Sequence, residues 1–180
     1  RQKYGVTNSD FVYLVLGRIC NVKGQDIALR AFNQVSKEVP KAKLVFVGRF
    51  DYEPEFYDEM QKYIRKNDLS DKVIFTGMVE RDEVLGWLKY SDIHVIPVRF
   101  MNSGAVVVES WISETPVIQS DVVDPNLVVE GENGYLFPRE DSKTCAVKMI
   151  KAYHERALLG QFAQKGKELV EKKYTYQYLT

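Results

Sequence analysis

A chain of 180 residues fits one domain and is too short for two full ones. Its composition, 45% hydrophobic and 28% charged, is that of an ordinary globular protein. Lysine plus arginine and aspartate plus glutamate number 25 each, so no global field draws in nucleic acid or an anionic membrane, and any anion site has to be local.

Short apolar runs recur along the chain, each closed by a glycine or a proline. Phe11–Leu16 reads as a buried strand ending at Gly17, Leu44–Val47 as a second closed by Gly48, and Val73–Phe75 as a third before Gly77. Ile93–Ile96 is a fourth closed by Pro97, and Pro116–Ile118 and Tyr135–Phe137 complete the set. Continuous apolar runs of this length suit strands covered on both faces, as in a parallel sheet. Between them, Ile27, Ala31, Phe32 and Val35 mark one face of a helix over Gln25–Lys37, and Val84, Leu85, Trp87 and Leu88 mark another over Arg81–Tyr90. Val106–Ile112 continues as a helix after Gly104. Beyond Phe137, two amphipathic stretches carry Ala146, Met149 and Ile150, then Phe162, Leu169 and Val170.

Strand and helix alternation implies an α/β fold over residues 1–180: a doubly wound, Rossmann-like parallel sheet of about six strands with helices on both faces. Ligands of such sheets sit beyond the carboxyl ends of the strands. The ends, Arg1–Asp10 and Tyr174–Thr180, are expected to fray. Cys20 and Cys145 lie far apart in sequence and read as two reduced thiols of a cytoplasmic protein. No apolar run approaches the ~20 residues of a membrane span, and no signal-peptide pattern opens the chain. Because it begins with Arg1, the chain reads as an excised piece of something longer.

Two loops concentrate the chemistry. The first, Gly17-Arg18-Ile-Cys-Asn-Val-Lys23-Gly24, lies between a strand and a helix. Its glycines permit a tight turn, the helix start points amides outward, and Arg18 and Lys23 add two charges, a set that suits a diphosphate. The same residues also read as two solvated cations on a loop. There is no Walker loop and no GxGxxG, so nucleotide hydrolysis and NAD binding lack their usual signals. The second loop runs from Pro97 through Ser103 and Gly104 into a helix that carries Glu109. A carboxylate among Val106, Val107, Val108, Trp111 and Ile112 calls for a partner or a ligand, unless it stands at the solvent edge of the helix. His94, in mid-strand, reads as a core residue rather than a catalytic base, and His154 falls on the outer part of a late helix.

The ordered motifs resemble a known family. Gly17-Arg-x4-Lys-Gly24, Val47-Gly, Val73-x-Phe-x-Gly77, Ser91-Asp-x-x-Val-x-Pro97, Gly104-x4-Glu109, Pro116-Val-Ile-x-Ser120 and Glu132-Asn-Gly-Tyr-Leu136 are similar to the C-terminal domain of retaining glycosyltransferases of family 4, built as two Rossmann domains (GT-B). Lys172-Lys-Tyr-Thr-Tyr176 resembles the stretch where that domain's last helix turns back to the other half.

The resemblance implies a donor domain for a nucleoside-diphosphate sugar, with hexosyl transfer to an acceptor held by an N-terminal domain absent from this chain. The piece alone would be inactive. No cofactor, metal, nucleic acid or membrane span is implied, and the full-length enzyme would be cytoplasmic or peripheral to a membrane. Arg18 and Lys23 would hold the phosphates and stabilise the leaving group. The backbone at Gly77 and Met78 would meet the nucleobase. Asn102, Ser103 and Gly104 would offer amides to the distal phosphate and sugar, and Glu109 would bind the ribose hydroxyls.

Three departures stand out. Met101 replaces a glutamate usual eight positions before the ribose glutamate. Ser110-Trp-Ile-Ser-Glu114 replaces an Ala-Met-Ala-x-Gly stretch. Val122 and Val123 replace paired glycines. They motivate the rival reading, a degenerate domain that binds a nucleotide or a protein partner without catalysis. A flavodoxin-like signalling module is disfavoured because the loop after the first strand is basic rather than acidic.

Overall fold

The computed structural model describes residues 2–100, 104–122 and 127–175. Six strands, β1 (Phe11–Leu16), β2 (Ala42–Val47), β3 (Val73–Phe75), β4 (Ile93–Ile96), β5 (Val117–Ser120) and β6 (Tyr135–Phe137), form one sheet in the order β3-β2-β1-β4-β5-β6. Every neighbouring pair is parallel, with Leu14 opposite both Val45 and His94, and Ile118 opposite Tyr135. Six helices cover it: α1 (Gln25–Glu38), α2 (Pro54–Lys66), α3 (Arg81–Tyr90), α4 (Ala105–Ile112), α5 (Ser142–His154) and α6 (Arg156–Thr175). The doubly wound α/β fold expected from the alternation is the fold observed. No helix among the described residues is long and apolar enough to cross a membrane.

Alternating side chains divide the core into layers. Tyr13, Val15, Leu44, Phe46, Ile93 and Val95 point to one face, beneath Phe32 and Val35 of α1, Met60 and Ile64 of α2, and Ala146 and Met149 of α5. Val12, Leu14, Val45 and Val47 point to the other, beneath Trp87 and Leu88 of α3. Ile96 and Val117 join Val107 and Trp111 of α4 on that second face. The last helix bridges the layers, with Leu159 and Phe162 in the first and Val170 against Trp111 in the second.

Two sequence expectations need correction. Residues at the amino end do not fray: a short 3-10 turn at Gln2–Tyr4 places Tyr4 against Trp87 at 5.5 Å, Lys3 pairs with Glu83 at 2.8 Å, and Val6 is buried. At the other end α6 continues to Thr175, so Tyr174 and Thr175 are helical, and 176–180 lie outside the described residues. Helix α2 is not among the elements expected from the sequence. Only Met60 and Ile64 of that helix are buried, too few to print an apolar stripe on a highly charged segment.

Several motif residues serve the fold. The Asn133 amide donates to Leu127 O at 3.1 Å and accepts from Val129 N at 2.7 Å, closing the turn before β6. Gly134 follows it where a Cβ would lie 2.9 Å from a Val117 methyl and 3.0 Å from the Val117 carbonyl. The departures at 110–114 also acquire reasons. Trp111 is fully buried and donates its indole N–H to Asn133 O at 3.2 Å. Its bulk is matched by Gly166 on α6, where a Cβ would stand 2.2 Å from the ring. Glu114 takes the left-handed conformation, φ 61°, at the position where the family carries glycine, at a cost of roughly 1–2 kcal/mol.

His94 is fully buried and satisfied at both nitrogens. Nε2 accepts from Leu16 N at 3.3 Å, Nδ1 donates to Ser110 Oγ at 2.7 Å, and that hydroxyl donates onward to Val106 O at 2.7 Å. A single neutral tautomer therefore ties the end of β1 to α4, and burial lowers the imidazole pKa to about 3. The stability this contributes is complete above the ordinary value near 6.5 and is lost as pH falls towards 3.

Two outcomes follow from these contacts. Between pH 6.5 and 5, His94 should account for about 1–2 kcal/mol of lost unfolding free energy, since the unfolded imidazole is half protonated at 6.5 and the slope rises below that towards ~1.4 kcal/mol per pH unit. Urea titrations should show a shallower acid limb for His94→Gln; identical limbs would contradict the assignment. Gly166→Ala should destabilise by about 1–3 kcal/mol through collision with Trp111, although helix propensity alone would favour alanine by up to ~1 kcal/mol. A raised urea midpoint would show that the indole can move aside.

Candidate functional site: a crevice at the strand ends

Sheet order reverses between β1 and β4, so these neighbours send their connections to opposite faces, β1 into α1 and β4 into α4. A crevice opens at their carboxyl ends, the usual ligand position in this class of sheet. It encloses about 310 Å³ and is lined by Gly17, Lys23, Gly48, Met78, Val106 and Glu109, among others.

Glycines set its floor. Gly48, at φ 146°, lies so close to the preceding loop that a Cβ would stand 2.2 Å from the Gly17 carbonyl. Gly24, at φ 68°, heads α1, and a Cβ there would be 1.9 Å from the Pro97 carbonyl. Any side chain at either position would force the loops apart. A 3-10 turn at Asn21–Lys23 leads into Gly24, and the aliphatic chain of Lys23 passes close over Gly17. The N-terminus of α1, with its free amides and positive dipole end, begins two residues after Lys23, which lines the crevice.

The predicted site residues are only partly brought together. Lys23 and Glu109 share the crevice with Met78, which is 82% exposed on its rim. Arg18 does not line it: its guanidinium lies over the Tyr52 ring at 4.4 Å. Gly77, at φ 73°, accepts from Gly48 N at 3.1 Å and borders an adjoining depression of about 400 Å³ with Phe50 and Met78. Gly104, at φ 71°, heads α4, while Asn102 and Ser103, with Met101, lie outside the described residues.

Glu109 corrects the sequence argument in one respect. Its side chain is 47% exposed, so it is not a carboxylate trapped among valines. Helical periodicity turns Val107 and Trp111 into the core and leaves Glu109 facing the crevice with Val106. Its nearest cation is Arg81, the first residue of α3, at 3.8 Å. At that distance and exposure the pair is weak, which leaves the carboxylate available to hydroxyl donors.

Residues that pattern reading missed complete the surroundings. Tyr52 and Phe50 follow β2, with Phe50 stacked on Tyr57 at 4.7 Å. Arg99 follows β4 and forms a bidentate pair with Asp26 on α1 at 2.8 and 2.9 Å. Their signal was available: each lies within a few residues of a strand's carboxyl end, the edge where such sheets bind ligands. Among the described residues the crevice offers one cation, Lys23, and one carboxylate, Glu109, around an apolar-sided slot, which matches an anion joined to a polyol.

Comparison with known proteins fits this geometry. The family model described as glycosyl transferases group 1 matches residues 1–169. The C-terminal domain of a glycosyl transferase group 1 family protein (LpcC) from Francisella tularensis superposes with a TM-score of 0.87 at 26% identity, covering 96% of this chain and 90% of that one. HepE of Anabaena, solved in complex with UDP and glucose, has a TM-score of 0.87 at 22% identity over 97% of this chain but 47% of its own. Mannosylfructose-phosphate synthase of Agrobacterium fabrum is 23% identical across 98% of this chain, which spans only 39% of that relative. The match over nearly the whole chain, with the strand-end crevice in the place where the fold binds ligands, shows that this chain belongs to the glycosyl transferases group 1 family.

Proposed function

We propose that this chain is the donor-binding domain of a retaining GT-B glycosyltransferase of family 4, which holds a nucleoside-diphosphate sugar while an N-terminal domain of the full-length protein presents the acceptor. The observation that carries the reading is the placement of Lys23 and Glu109 in one crevice at the strand-order reversal. Lys23 and the first amides of α1 meet the diphosphate, Glu109 accepts from the ribose hydroxyls, and the backbone at Gly77 and Met78 borders the base. Arg18 leaves Tyr52 to join the phosphates. HepE, similar in fold, was solved with UDP and with UDP-glucose, which supports a uridine nucleotide as the first ligand to try.

The chemistry asked of the domain is charge neutralisation. A departing nucleoside diphosphate accumulates negative charge, and preorganised cations and amides stabilise it without reorganising. Closure of a second domain over the sugar would supply the positioning that this piece lacks. Met101 favours a second reading, because a thioether cannot replace the strong hydrogen bonds of the usual glutamate. On that reading the crevice binds nucleotide but the sugar adds nothing to affinity.

Calorimetric titration of UDP, GDP and ADP in the presence of chelator tests the site. The double variant Arg18→Ala/Lys23→Ala should weaken binding by on the order of a hundredfold, two charge-assisted hydrogen bonds lost. Glu109→Gln should weaken binding of the ribonucleotide and bind its 2′,3′-dideoxy analogue as the unmodified protein does. Unchanged affinity in the double variant would remove the loop from the site; full discrimination against the dideoxy analogue in Glu109→Gln would remove the ribose role.

A further inference from the structure

Arg99 lies three residues beyond β4, on the far side of the Asn21–Lys23 turn from the crevice, where it lines the groove between α1 and α2 with its side chain only 11% exposed. Its main-chain N–H donates to Val22 O at 3.1 Å. Nη1 donates to Asn21 O at 2.6 Å and to Asp26 Oδ1 at 2.8 Å, Nη2 to Asp26 Oδ2 at 2.9 Å, and Nε to Glu140 Oε1 at 2.6 Å. This single residue therefore holds two carbonyls of the turn that carries Lys23 and a carboxylate in the first turn of α1. Gly24 lies against the Pro97 carbonyl in the same seam.

These contacts have a mechanical and an electrostatic consequence. Cys20 gives the turn Asn21–Lys23 no side-chain cap; the Asn21 amide donates instead to Glu53 Oε2 at 2.8 Å, which ties the turn to the start of α2 and not to β4. Its position relative to the chain leaving β4 is set by Arg99 and by the Gly24–Pro97 contact. The rigid guanidinium fork matches the Asp26 carboxylate and still reaches Asn21 O and Glu140, a combination that a single ammonium cannot reproduce. Asp26 lies two residues past Gly24, where a bare carboxylate would repel an incoming phosphate. Arg99, with Arg30 at 3.2 Å on the same carboxylate, balances Asp26 and Glu140, so that neither carboxylate offsets the charge of Lys23.

We propose that Arg99 is a positioning residue for donor binding: clamped between Asn21, Asp26 and Glu140, it locks the Asn21–Gly24 turn to the chain leaving β4 and, together with Arg30, balances the Asp26 and Glu140 carboxylates, so that Lys23 is presented to the diphosphate. The inference rests on the donor-site reading above and deepens it. Arg99 does not itself touch the nucleotide; it acts through Lys23.

A binding cycle tests the claim. UDP affinity is measured for the unmodified chain, Arg99→Lys, Lys23→Ala and the double variant, at a temperature where circular dichroism shows each folded. Arg99→Lys should weaken binding about tenfold, the scale of one displaced charge-assisted hydrogen bond. In the Lys23→Ala background the same change should cost less than about twofold, because residues that act as a unit are not additive. Equal losses in both backgrounds would reduce Arg99 to a general support of the fold and overturn the proposal. If UDP binds and Lys23→Ala weakens it while Arg99→Lys is silent, the proposal fails alone. If the unmodified chain binds no nucleoside diphosphate, the donor-site reading fails with it. Should Arg99→Lys not fold, Glu140→Gln loosens the clamp from its half-exposed arm and takes the same place in the cycle.

Discussion

Neighbouring parallel strands whose connections leave for opposite faces cannot close the gap between their carboxyl ends, and that constraint shapes the rest of this molecule. Between β1 and β4 the chain departs into α1 on one side and α4 on the other. Both helix starts lie at that carboxyl edge of the sheet, each headed by a left-handed glycine, Gly24 and Gly104. The approach is so close that Gly24 rests on the Pro97 carbonyl and Gly48 on that of Gly17. Glycine is needed there for room as much as for its backbone angles.

The core maintains this seam from beneath. His94 joins the end of β1 to Ser110, the neighbour of Glu109, through a neutral imidazole whose nitrogens are both engaged. Trp111, the next residue, anchors α4 in the second apolar layer and relies on Gly166 for space. The residues flanking Glu109 are thus fixed in the core while Glu109 itself remains at the solvent edge. Departures from the family pattern at 110–114 consequently read as a repacked support for α4, and Glu114 bears left-handed strain as one of its costs.

Much of the fold was legible because a sheet covered on both faces leaves uninterrupted apolar runs. Phe11–Leu16 and Ile93–Ile96 were found with their boundaries intact for that reason. The helix α2 escaped because its buried residues are too few, and the order of the early segment escaped because Lys3 and Tyr4 find their partners on α3, at Glu83 and Trp87, some 80 residues along the chain. At the site, Lys23 and Glu109 were legible from loop position and helical register. The parking of Arg18 on Tyr52 and the inward turn of Arg99 were not, since both depend on partners 34 and 73 residues away. The roles of Asn102 and Ser103 fall outside the described residues.

The central claim is that one crevice between β1 and β4 holds the nucleotide. Amide chemical-shift mapping of the isotopically labelled chain during titration with UDP tests it most directly. Perturbations should concentrate at Gly17–Gln25, at Gly48, at Gly77–Val79 and at Gly104–Glu109, and should leave the groove between α1 and α2, around Phe56 and Tyr63, unchanged. Shifts centred on that groove, with the strand-end loops silent, would contradict the account.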